Sequence, residues 1–98
     1  MQEDLTIRPG LIIPGHELDV EASVGGGPGG QHVNKSATRI TLRWSAADSV
    51  ALTKAQRARF LIKFQSRLTK QGEIVLHVHQ HRSQTRNLET ARERLAEM

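Results

Sequence analysis

The strongest constraint on this chain is an interruption between two alternating stretches. Residues 17–23 read ELDVEAS, and residues 39–44 read RITLRW. Leu18, Val20 and Ala22 face one way in the first, and Ile40, Leu42 and Trp44 in the second. That period of two predicts strands with one buried face. Their outer faces carry opposite charge, Glu17, Asp19 and Glu21 against Arg39 and Arg43, as antiparallel neighbours would pair them. Between them lies VGGGPGGQHVNKS, residues 24–36, with five glycines. A tight hairpin needs about two residues, and every glycine adds to the entropy lost on ordering. A segment this long and this rich in glycine is therefore more than a turn.

The rest of the chain completes a small fold. Leu11–Ile13, ended by Pro14-Gly15, predicts a short edge strand. Thr53 and Gln56 form a capping-box pair, and Phe60, Leu61, Phe64 and Leu68 recur at helical spacing. With Gly72 as C-cap and Lys70 in the last turn, a helix is expected over about 53–71. Residues 74–79, IVLHVH, predict a strand with Ile74, Leu76 and Val78 inward. Leu88, Ala91 and Leu95 predict a helix over about 85–97. The expected fold is α+β, a mostly antiparallel sheet packed against helices in the order β-β-α-β-α, with Leu61, Phe64 and Leu68 covering the sheet. At 98 residues the chain holds one domain, 1–98, with residues 1–10 disordered.

Charge is unevenly placed. Residues 1–30 balance to −4, residues 31–70 to +8, and residues 71–98 to zero. A basic middle attracts phosphate backbones or simply keeps a surface solvated. Lys54, Arg57, Lys63, Arg67 and Lys70 form its helical part. The absence of cysteine removes thiolate chemistry and points to an intracellular, cytoplasmic protein. No apolar run reaches the length of about 18 residues that a membrane span needs, so no membrane partner is expected. His77, His79 and His81 alternate, but no Asp, Glu or Cys stands ready to complete a site, so no metal is expected.

The glycine segment offers chemistry. Backbone N–H groups at a loop tip can stabilise an oxyanion or cradle phosphate. Gln31 does not titrate in the working range, so it orients water rather than acting as a base. Gly29 followed by Asn34-Lys35-Ser36 approaches a phosphate-loop pattern, but Asn34 replaces the required second glycine. No local motif supports a Ser-His-Asp triad.

GGPGGQHVNKSATRITLRW resembles the signature of the GGQ domain shared by class I peptide chain release factors and their small relatives. HRSQTRNLETARERL, residues 81–95, is similar to a second segment of that family, which carries an aromatic residue, then RSQ, then Asn and a helix. With ELDVEAS, the resemblance covers about residues 16–96. It is nearest to the stand-alone peptidyl-tRNA hydrolases that rescue stalled ribosomes.

The resemblance implies a cofactor-free, monomeric, ribosome-dependent esterase. Its partners would be the peptidyl transferase centre with its rRNA and the P-site peptidyl-tRNA. Gly29, Gly30 and Gln31 would be the catalytic tripeptide, the Gln31 N–H meeting developing charge and its side chain placing water. Pro28, His32, Val33, Asn34, Lys35 and Ser36 would support the loop. Arg39, Arg43, Lys54, Arg57, Lys63, Arg67 and Lys70 would be candidate RNA contacts, and Arg82, Ser83 and Gln84 would be supporting or RNA-facing rather than catalytic. The loop, about 25–32, is expected to be mobile in the isolated protein. The alternative is a non-catalytic rRNA-binding module that keeps the loop as a contact element. Two departures stand out. His81 occupies the place of the family's usual Tyr, and the chain stops at Met98 without the expected basic tail, which we take to have been trimmed.

Overall fold

The alternating stretches become three antiparallel strands in the computed structural model, which describes residues 2–24 and 37–98. The strands are β3 (Leu18–Ser23), β4 (Arg39–Ser45) and β5 (Glu73–Val78), in spatial order β3-β4-β5. Register runs Leu18↔Trp44 to Ser23↔Arg39 on one side, and Ile40↔Val78 to Ser45↔Glu73 on the other. Asp19 faces Arg43 directly, and their charged groups approach to 3.7 Å. Ile40, Leu42, Trp44, Ile74, Leu76 and Val78 are buried. Val20 is only half-buried, because β3 is an edge strand.

Residues 1–10 were expected to be disordered; instead β1 (Leu5–Arg8) pairs antiparallel with β2 (Leu11–Ile13). Gly10, at φ +84°, makes the turn between them, a conformation that side chains with a Cβ disfavour. Leu5, Leu11 and Ile13 enter the core. The arm before β1 is tied from far along the chain: Arg92 donates to the Glu3 and Asp4 carbonyls at 2.9 and 2.7 Å. Asp4 Oδ1 accepts from the Gly15 N–H at 2.7 Å.

Helix α1 spans Lys54–Lys63, shorter than expected at its C-terminal end. Its capping box forms as predicted, Thr53 Oγ1 accepting from Gln56 N–H and Gln56 Oε1 from Thr53 N–H. Phe64 ends it, and a series of turns carries the chain to β5. Gly72 is therefore not a helix cap. At φ +81° it opens β5, its carbonyl accepting from Ala46 and Ala47 at 3.1 and 3.3 Å. The need to reach the end of β4 outweighs helix continuation.

Helix α2 (Gln84–Ala96) covers β4 and β5, burying Asn87, Ala91 and Leu95. Helix α1 buries no residue fully, so Leu61, Phe64 and Leu68 only flank a core that was expected to rest on them. Phe60 meets Trp44 edge-on, with ring centroids 5.5 Å apart. Leu42→Ala is therefore expected to lower unfolding free energy by about 2–5 kcal/mol, and Leu61→Ala by about 1 kcal/mol, as for partial burial. Urea unfolding of both variants checks the order.

A carboxylate ties this core to its surface. Glu17 Oε1 accepts from Trp44 Nε1 at 3.1 Å and from Ser49 Oγ at 2.5 Å, while Oε2 accepts from Val50 N–H at 2.9 Å. Burial by itself would raise its pKa. The hydrogen bonds from Ser49, Val50 and Trp44, with nearby His16, outweigh that and hold it below the usual carboxylate value. The resulting stabilisation is complete above the ordinary Glu pKa and is lost as pH falls through the lowered native value. Glu17→Gln is expected to cost about 1–2 kcal/mol at neutral pH. The gap to the unchanged protein should narrow below about pH 4, as unfolding curves over a pH series will read.

Candidate functional site at the root of the glycine segment

The segment from Pro28 to Ser36, holding Gly29, Gly30 and Gln31, lies outside the described residues, and so does the expectation that it is mobile. Its two roots are well placed. Ser23 and Arg39 are the last register pair of β3 and β4, so the chain leaves and re-enters the sheet side by side.

The returning root is held by the start of α2. Ser83 caps that helix, its Oγ accepting from Arg86 N–H at 3.2 Å. Gln84 Nε2, in the first turn, donates to the Ala37 carbonyl at 2.6 Å. Asn87 Nδ2 donates to the Thr38 carbonyl at 2.6 Å and to the His81 carbonyl at 2.9 Å. Asn87 Oδ1 accepts from His81 N–H at 2.9 Å. Two carbonyls require the amide nitrogen and one N–H requires the amide oxygen, so the network itself fixes the amide's orientation. Asn87 is fully buried, where a half-satisfied amide would be destabilising.

Of the predicted RNA contacts, Arg39, Arg82, Ser83 and Gln84 gather at this root. Arg82 is exposed, with no ion pair among the described residues. Ser83 and Gln84 follow the supporting alternative, spending their polar groups on the fold. Arg43 lies further along β4 on the outer face, between Asp19 and Glu73 at 3.7 and 3.9 Å. The cations of α1 and the turns after it belong elsewhere, since the Trp44–Phe60 contact sets α1 at the far end of β4, about 17 Å from Arg39 at strand spacing. Lys54, Lys63, Arg67 and Lys70 are exposed there. Arg57 is not part of that face. It turns inward, its Nη2 donating to the Ser49 and Leu52 carbonyls at 2.7 and 3.3 Å.

Sequence reasoning omitted Asn87 from the site. The signal for it was present: Asn87, Ala91 and Leu95 fall four apart on one helical face, so a polar residue occupies a core stripe and demands partners. A cavity of about 350 Å³ between α1, β1, β2 and the end of α2 is lined by Ile13, Trp44 and Phe60 under Arg8, Arg59 and Lys63, away from the loop root. Among the described residues, His77 bonds Thr41 at 3.0 Å, and no group of three or more His, Cys, Asp or Glu is placed to hold a metal ion. No described helix is long and apolar enough to cross a membrane.

Comparison with known proteins settles the family. The family model for the RF-1 domain matches residues 6–98. This chain belongs to the RF-1 domain family. Peptidyl-tRNA hydrolase ArfB of Pseudomonas putida is 33% identical over 94 residues, spanning 96% of this chain and 68% of that protein. Large ribosomal subunit protein mL62 of Mus musculus is 29% identical over 86 residues, spanning 88% of this chain and 42% of that protein. The match takes in both the glycine segment and the RSQ segment, so the loop and the helix end that grips its root lie in one RF-1 domain.

Proposed function

We propose that this RF-1 domain hydrolyses peptidyl-tRNA on stalled ribosomes, releasing the nascent peptide. The observation that carries the proposal is the Gly29-Gly30-Gln31 segment, set in a domain of this family between two paired strands. The similarity to a peptidyl-tRNA hydrolase names the substrate class. The partners are then the peptidyl transferase centre with its rRNA and the P-site peptidyl-tRNA, and the work is cytoplasmic.

The chemistry follows from what the segment contains. Water attacks the ester carbonyl, forming one C–O bond while the bond to the tRNA oxygen breaks. The Gln31 N–H donates to the carbonyl oxygen as charge develops there. The Gln31 side chain, with both donor and acceptor, orients the water. No carboxylate lies in residues 24–36, so the water's proton passes to the leaving oxygen through the substrate's own hydroxyl. No cofactor enters. On this reading Pro28 and His32 to Ser36 support the catalytic tripeptide, and Arg39 and Arg82 face rRNA.

A second reading is favoured by the mouse relative, whose name places it in the large ribosomal subunit. In it the domain binds rRNA and the loop is a contact element without chemistry. Release of labelled peptide from ribosomes stalled without downstream message, with and without this protein, decides between them. Release that requires both ribosome and protein supports hydrolysis; tight association without release supports the module.

A further inference from the structure

Gln84 is exposed on the first turn of α2. Its amide reaches a carbonyl 47 residues away, that of Ala37, at 2.6 Å. One helical turn on, Asn87 takes the next carbonyl, that of Thr38. The consecutive carbonyls of Ala37 and Thr38, just before β4, are thus both held by one helix end. We infer that Gln84 is a positioning residue for the hydrolysis proposed above: it holds the Ala37 carbonyl, at the returning root of the glycine segment, where release requires it, without touching the ester. The inference rests on that functional reading.

A positioning role and a structural role predict different patterns of variants here. Glutamate at position 84 keeps the side-chain length and suits the positive N-terminal end of a helix. It replaces the donating NH₂ with oxygen, which repels the Ala37 carbonyl. Lysine is less suited to that helix end but restores a donor long enough to reach the carbonyl. Gain at one place offsets loss at the other in each variant, so the two should be about equally stable. Activity should differ, with Gln84→Lys well above Gln84→Glu.

The test uses the full chain, ribosomes stalled without downstream message and labelled peptidyl-tRNA, with Gly30→Ala as the comparison. Single-turnover release at saturating protein, the half-saturating concentration and the thermal midpoint are each measured. Gln84→Glu should slow release about 10-fold or more, as a displaced catalytic group does. Its half-saturating concentration should stay within about two-fold, since ground-state binding is untouched. Gln84→Lys should recover release to within about three-fold of the unchanged protein. Wild-type release by Gln84→Glu, with Gly30→Ala inactive, overturns the positioning role and leaves the hydrolase reading standing. Wild-type release by Gln84→Glu and Gly30→Ala alike, or none from the unchanged protein, overturns both the positioning role and the hydrolase reading. A Gln84→Glu defect that appears only as a raised half-saturating concentration makes Gln84 an RNA contact instead. Equal losses in both Gln84 variants that track the thermal midpoint make it a structural residue.

Discussion

A Gly30→Ala protein should bind stalled ribosomes as the unchanged protein does and release peptide at least about 100-fold more slowly, the loss typical of removing one oxyanion donor. Glycine at this position allows backbone angles that a Cβ excludes, and allows the chain to approach the ester with nothing in the way. On the proposed mechanism, an added methyl group would move the neighbouring Gln31 N–H away from the oxygen on which charge develops. Misplacement by about 1 Å is enough to cost about 100-fold. Gln31→Ala should be milder, because the backbone donor survives. Binding and single-turnover release must be measured separately, since a protein that fails to bind also fails to release. Normal binding together with wild-type release would remove the catalytic role from this segment and bring the rRNA-binding module forward.

The second large effect is on stability. Asn87→Ala should lower unfolding free energy by about 2–4 kcal/mol, because buried partners lose their hydrogen bonds. The side chain is fully buried, and its removal leaves the Thr38 carbonyl and both backbone groups of His81 without their present partner. For a domain of this size the loss corresponds to a fall in midpoint of about 10–25 °C. Thermal unfolding followed by circular dichroism reads it directly. An exposed cation such as Lys54 supplies the contrast, since its replacement by Ala should move the midpoint little. An unchanged midpoint for Asn87→Ala would mean that water replaces the amide at all three positions.

Arg57 shows how a basic run misleads. Its place among Lys54, Lys63, Arg67 and Lys70 suggested a shared RNA-facing surface. Its guanidinium instead closes the chain between Ser49 and Leu52 onto the start of α1. A planar side chain with several donors satisfies free carbonyls well, and sequence spacing does not distinguish that use from binding phosphate.

The features legible in the sequence were those written by near neighbours. Alternation over residues 18–23, 39–44 and 74–78 named three strands and their inner faces, because the side-chain period of a strand is local. Thr53 and Gln56 placed a helix start, since a capping box spans one turn. The opposite charges of Asp19 and Arg43 foretold an antiparallel pairing that the register then made direct. The glycine segment and the RSQ segment carried the family resemblance, because both are contiguous strings. Tertiary structure decided the rest. It set α2 rather than α1 over the sheet, ended α1 at Lys63 and drew the arm before β1 down onto Arg92. It also joined Gln84 to Ala37 and Asn87 to Thr38 across 47 and 49 residues. Those last contacts end on backbone carbonyls, which every residue possesses. An amide's partner of that kind leaves no mark on residue identity, so the sequence displayed the two side chains and only the fold disclosed what they hold.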